Sequence, residues 1–262
     1  MCLLVFNYDQ HPDYSLIFAG NRDEFYERPT AAADYWADAP HVLGGRDLKA
    51  GGTWMGITTS GHWAVVTNIR EPGAYREDVQ SRGALVADYL RDEPDPRAYL
   101  EQVEADADRY NGFNLLLGTP SSLYYVSNRE SGIHTVEPGI HGLSNDRLDT
   151  PWPKVQRAKR GMQARLQRNE ATVDSLLALL DDRRLAPDDQ LPETGLGKER
   201  ERMLSPLFIE GDRYGTRAST VLLMGRDGTV TFAERTFDAG APVETRRFSF
   251  AVQGEAEGGS PY

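Results

Sequence analysis

The sequence predicts an α+β fold: two β-sheets packed against each other, with helices on the outside. Three observations lead there. Eight to ten β-like runs fall in consecutive blocks, the order that antiparallel sheets produce. Two helical pairs interrupt those blocks, which places the helices on the outside of the packed sheets. No repeat and no long linker divides the chain, so residues 1–253 are expected to form one domain and residues 254–262 a flexible tail.

The elements follow in order. Cys2-Leu3-Leu4-Val5-Phe6 is a continuous apolar run, and Tyr14–Ala19 is a second one beyond the polar turn His11-Pro12-Asp13. Close apolar runs of this kind read as paired strands buried on both faces, at the centre of a sheet. A glycine-dense stretch spans Gly44 to Gly56, read here as tight turns with close backbone approach. Trp54–Thr58 and His62–Ile69, joined by Thr59-Ser60-Gly61, form a predicted hairpin. Ser81 is a loose N-cap for a helix opening at Arg82, with Leu85, Val86, Tyr89 and Leu90 at helical spacing. Pro96–Ala107 reads as a second, more polar helix.

Strands return at Phe113–Gly118, Leu123–Ser127, Ile133–Val136 and Ile140–Ser144, followed by helices over Pro153–Asn169 and Val173–Asp182. Asp181–Arg202 is charged, proline-bearing and irregular, and reads as an exposed insertion or lid. Ala218–Met224 and Thr229–Arg235 flank Asp227-Gly228, a strong hairpin signal, and a last strand is expected near Arg247–Val252.

Composition narrows the function classes. The 262 residues are 39% hydrophobic and 26% charged, ordinary for a globular protein. A net charge of −11 opposes a nucleic-acid or anionic-membrane surface. No apolar run approaches the ~18 residues of a membrane span. One cysteine forms no intrachain disulfide and the first residues resemble no targeting signal, so the cytoplasm is the expected compartment. The five histidines lack ligand spacing, Gly51-Gly52-Thr53 lacks the lysine of a phosphate loop, and no Gly-x-Ser-x-Gly elbow appears. No metal or cofactor is expected.

The chemistry-bearing candidate is Cys2, the single cysteine, directly behind Met1. Removal of Met1 would place a thiol and a free α-amine on one residue, and the amine can serve as base for its own nucleophile. A buried apolar cysteine in a first strand is the competing reading. Asn21-Arg22-Asp23-Glu24 closes the second run: either a solvated turn, or a set of polar groups converging on Cys2. Asn68 and Asn145 sit at strand ends, as turn residues or as oxyanion donors. Arg217 opens an apolar strand and faces either solvent or a cleft.

Together, Met1-Cys2, Asn21-Arg22-Asp23-Glu24 and Gly45-Arg46-Asp47 with Gly51-Gly52-Thr53-Trp54 resemble the NRDE family, the transport and Golgi organisation protein 2-like group, related to the N-terminal nucleophile hydrolases. The resemblance implies a four-layer αββα sandwich. By similarity to the bile salt hydrolase and penicillin V acylase group, it implies Cys2 as nucleophile and Asp23 as partner of the α-amine. It also implies Asn68, Asn145 and Arg217 as catalytic residues, with Asn21 and Arg22 at the substrate. The group's arginine at the second strand has no counterpart, because position 20 is glycine. Arg22 would project from the same face as position 20, and that substitution fails if Arg22 points away from Cys2. The implied activity is hydrolysis of a non-peptide amide on a small molecule. The alternative is a non-catalytic haem- or lipid-binding trafficking protein on the same fold.

Overall fold

The structure is a computed structural model, and it describes residues 2–253. The flexible tail expected at 254–262 lies outside the described residues.

The chain opens with β1 (Cys2–Tyr8) and β2 (Tyr14–Phe25), paired antiparallel with Cys2 opposite Arg22 and Leu4 opposite Gly20. Both are buried on both faces, as their continuous apolar runs predict. β2 is longer than its apolar run: Asn21-Arg22-Asp23-Glu24 belongs to the strand and is not a turn. Next come β3 (Thr30–Trp36), β4 (Ala39–Asp47), β5 (Met55–Thr58) and β6 (Trp63–Asn68). The sequence does not predict β3 and β4, because their alanine- and glycine-rich segments alternate weakly. Gly44 and Gly45 lie inside β4, where a Cβ on Gly44 would sit 2.7 Å from the Met55 carbonyl and one on Gly45 2.2 Å from the Trp54 ring. Close approach is therefore their role, within a strand rather than a turn.

α1 (Arg82–Asp92) is capped by Ser81, whose hydroxyl accepts from the Gly83 N–H, and α2 (Pro96–Ala105) by Asp95. β7 (Phe113–Thr119), β8 (Ser122–Ser127), β9 (His134–Thr135) and β10 (Gly139–Leu143) follow, then α3 (Pro153–Gln167) and α4 (Val173–Leu180). The predicted insertion contains a short helix, α5 (Lys198–Met203), and one of its side chains, Glu201, is buried. The chain closes with β11 (Tyr214–Gly225), β12 (Thr229–Asp238) and β13 (Ala241–Ala251), with the expected turn at Gly228 (φ +84°).

The strands form two antiparallel sheets in the orders β10-β1-β2-β11-β12-β13 and β3-β4-β5-β6-β7-β8-β9. Three apolar cores define the layers. Cys2, Leu4, Phe6, Phe18 and Leu222 of the first sheet meet Leu43, Ile57, Trp63 and Leu116 of the second. Leu3, Val5, Ile17 and Val221, on the first sheet's other face, pack on α3 and α4. Val42, Ala64, Val66 and Leu115 pack the second sheet on α1 and α2. The alternation of side chains along each strand feeds two cores at once, so the layer order is αββα.

Candidate active site

Cys2 opens the first central strand, 9% exposed and facing the space between the sheets, where it lines a cleft of about 400 Å³. Directly cross-strand residues share a face, so the Cys2–Arg22 register puts the Arg22 side chain on the Cys2 side. Arg22 lines the same cleft, lies 4.4 Å over the Trp54 ring and is 3.8 Å from Glu24. Among the described residues its buried Nη1 has no hydrogen-bond partner. Arg22 therefore does not point away from Cys2. Position 20 has no room for a larger residue: a Cβ there would lie 2.9 Å from Leu4 Cδ2 and 3.0 Å from Phe18 Cζ.

Burial pushes the Cys2 thiol up, and the nearby Asp23 carboxylate adds to this. The Arg22 guanidinium and a hydrogen bond from the Asp23 backbone N–H oppose the rise. The thiol therefore needs a base to act as a nucleophile at neutral pH. Asp23 is itself buried, with Thr216 Oγ1 donating to its Oδ1 at 2.7 Å. Burial raises its pKa, against the charges of Lys154 and Arg22 and the Thr216 bond.

Asn68 and Asn145 are joined. Asn145 Nδ2 donates to the Asn68 backbone oxygen (3.0 Å) and to its Oδ1 (3.1 Å), while Asn145 Oδ1 accepts from Ser144 (3.2 Å). Asn145 is thereby saturated and buried. Asn68 lines the cleft with its Oδ1 occupied, which leaves its Nδ2 as the available donor. Ser144 Oγ donates to the Cys2 carbonyl at 3.0 Å, so the 144–145 segment ties both asparagines to the end of β1.

Two predicted residues go elsewhere. Asn21 belongs to the opposite face of β2. Its Nδ2 donates to the Leu180 (3.0 Å) and Leu207 (2.8 Å) carbonyls and its Oδ1 accepts from Ser219 (2.6 Å), so it is spent on anchoring α4 and the segment before β11. Arg217 donates through Nη1 to the carbonyls of Phe25, Tyr26 and Arg28, clamping the β2–β3 turn, and lines a separate cavity behind Trp54. The β-bulge between Thr216 and Ala218 accompanies this placement.

Several site residues escape a reading of the sequence. Trp54 supplies the aromatic face for Arg22. Arg82, at the start of α1, lines the cleft and donates to the Gly112 carbonyl at 2.9 Å. Glu234 lies in mid-β12 with Oε1 accepting from Ala33 N–H at 2.7 Å, and burial lifts its pKa to about 7 despite the Arg22 charge. Arg70, Lys154 and Glu201 form a buried charged group beside Asp23. Only Trp54, in its glycine run, carries a local signal. The others look like surface charges in the sequence. Beside the main cleft runs a second, more apolar groove of about 720 Å³, walled by Phe25, Ile69, Leu196, Met203, Leu204 and Tyr214. Asn68 and Arg82 line both. Among the described residues, no group of three or more His, Cys, Asp or Glu is placed to hold a metal ion.

The two sheets and three cores make a four-layer αββα sandwich, with Cys2 at the cleft end of its first central strand. Residues 1–239 match the family model described as Transport and Golgi organisation 2. The chain belongs to that family. It is 37% identical to the Transport and Golgi organization protein 2 homolog of Bos taurus and 35% identical to that of Homo sapiens, in each case over 97% of this chain and 100% of the relative. Its identity to the Drosophila melanogaster protein is 32%, over 90% of this chain and 92% of the relative. Among solved structures, it is similar to a Caenorhabditis elegans N-acylethanolamine-hydrolyzing acid amidase ortholog, with TM-score 0.46 and 11% identity over 85% of this chain and 92% of that one. A mutant conjugated bile acid hydrolase from Clostridium perfringens gives TM-score 0.47 and 7% identity over 99% and 100%. The layer order stands on this chain's own three cores and not on either likeness.

Proposed function

We propose that this protein is a cysteine N-terminal nucleophile amidohydrolase acting on a non-peptide amide of a small molecule. The observation that carries the reading is the position of Cys2. It lies at the cleft wall, opposite Arg22, with the Asp23 N–H on its sulfur and the Asn68 amide lining the same space. Removal of Met1 supplies the base that a buried thiol requires. The Cys2 α-amine, held by Asp23, takes the thiol proton, and the sulfur forms a bond to the amide carbonyl. Asn68 Nδ2 donates to the oxyanion, with Asn145 fixing the Asn68 side chain. Collapse breaks the C–N bond as the ammonium returns its proton to the leaving amine. Water, deprotonated by the same α-amine, then hydrolyses the thioester. Arg22 orients the substrate and Arg217 steadies the turn behind it. No step calls for a metal or cofactor, and the cytoplasm is the proposed compartment. No helix among the described residues is long and apolar enough to cross a membrane.

One observation favours the alternative of a haem- or lipid-binding trafficking protein: the apolar groove beside the cleft, whose rim exposes Phe25 and Met203. Intact mass spectrometry before and after a thiol electrophile decides. The enzyme reading expects a protein lacking Met1 and a single adduct on Cys2, formed faster than on free cysteine and absent from Cys2→Ala. A retained Met1, or labelling no faster than free cysteine, would sink it. Saturable haem or lipid binding that survives in Cys2→Ala would then support the alternative.

A further inference from the structure

On the helix side of the first sheet, behind the cleft wall, ionisable side chains from four parts of the chain come together. They are Asp23 from β2, Lys154 from the first turn of α3, Arg70 from the β6–α1 connection and Glu201 from α5. Arg70 and Glu201 are bonded directly, and the Thr194 hydroxyl and N–H also donate to Glu201. That pair neutralises itself.

Lys154 is different. It is 2% exposed, and among the described residues its Nζ has neither a hydrogen-bond partner nor an ion pair in contact. Its charge acts on Asp23 and Cys2 from behind while both line the cleft in front. Of the anionic groups around it, Asp23 does most to favour the charged ammonium, ahead of Cys2 and Glu201. A buried ammonium without hydrogen bonds is costly, and an apolar side chain of similar volume would pack there at lower cost. Packing therefore gives no reason for a lysine.

We propose that Lys154 is a positioning residue of the reaction centre: its ammonium holds Asp23 ionised and offsets the negative charge that forms on Cys2 Sγ when the thiol loses its proton. This rests on the reading of Cys2 as nucleophile. A charged Lys154 places one more positive charge behind the thiolate than a neutral or apolar side chain there would.

Burial and the Arg70 charge bring the Lys154 pKa down to about 8. The titratable and charged groups around it are Cys2 on β1, Asp23 on β2, Arg70 before α1 and Glu201 on α5, with the Tyr214 phenol on β11 beside Cys2, Asp23 and Arg70. Below that pH the charged Lys154 favours thiolate, and above it the support fades.

The test is the rate of Cys2 alkylation by iodoacetamide against pH, in the wild type, Lys154→Met and Lys154→Arg, with Cys2→Ser as blank. Lys154→Met is expected to raise the apparent thiol pKa by about one unit, a roughly tenfold slower reaction at pH 7. Lys154→Arg is expected to keep the wild-type rate below pH 8 and to lose the inflection near 8, so it remains informative if Lys154→Met does not fold. A reactive wild type whose pH profile is unchanged in either variant overturns the role of Lys154 alone. A wild-type Cys2 that is inert at every pH overturns both this role and the nucleophile reading.

Discussion

Replacing Glu201 with alanine should strand a charge inside the protein. Glu201 and Arg70 are 3% and 4% exposed, and Glu201 is the hydrogen-bond acceptor of the Arg70 side chain. Among the described residues, Arg70 Nε and Nη2 have no hydrogen-bond partners, and the guanidinium also lies 4.6 Å over the Trp152 ring. The alanine variant would leave a desolvated guanidinium with no acceptor and release the Thr194 hydroxyl and N–H as well. Breaking a buried pair on one side costs about 3–5 kcal/mol, against a total stability of roughly 5–15 kcal/mol. At this chain length that corresponds to a fall in Tm of roughly 6–20 °C. The assay is urea unfolding followed by tryptophan fluorescence, read as a shift in midpoint at constant slope. Limited proteolysis should show earlier cleavage between residues 186 and 204. The double variant Arg70→Met, Glu201→Leu should regain most of the loss, since no charge is then left unpaired. A loss below about 1 kcal/mol in Glu201→Ala would refute the reasoning, because it would mean that water reaches Arg70 and the pair is not the anchor of this segment.

Other outcomes follow from the same geometry. Gly45→Ala drives a Cβ into Trp54, so it should cost about 1–3 kcal/mol and shift tryptophan emission as the ring leaves Arg22; unchanged emission and midpoint would count against that contact. His141 Nδ1 lies 2.7 Å from Asp149 Oδ2, an interaction that raises the imidazole pKa and helps hold the carboxyl at about 2. The folded-state pKa of His141 is the higher one, so its contribution is complete below the unfolded value of about 6.5 and is lost as pH rises through the folded value. The stability gap between wild type and His141→Asn, measured by urea unfolding across pH, should therefore be widest on the acid side of neutrality and narrow in alkali. A gap that widens with pH would reverse this assignment.

Cys2, Arg22 and Asn68 stand out in the sequence itself, because residue type and strand-end position are local properties. The central pair β1–β2 follows from uninterrupted apolar runs, and the hairpin at Asp227-Gly228 from turn chemistry that needs only two residues. β4 is hidden for a physical reason: its Gly44 and Gly45 make sense only against Met55 and Trp54, which the fold lays alongside them. The face that each residue of Asn21-Arg22-Asp23-Glu24 presents is not written in the tetrad. The register with β1 sends Arg22 to the cleft and Asn21 into the helix-side core. Arg217 reads as a strand-end charge, yet three carbonyls of a turn far back in the chain set its direction. Lys154, Arg70 and Glu201 each look like solvated charges at helix or loop positions. Residue type and short-range periodicity thus determine which segments of the central sheet are strands and which thiol is the candidate nucleophile. Tertiary structure alone decides which charges lose their water, because desolvation depends on what several other elements bring to the same point.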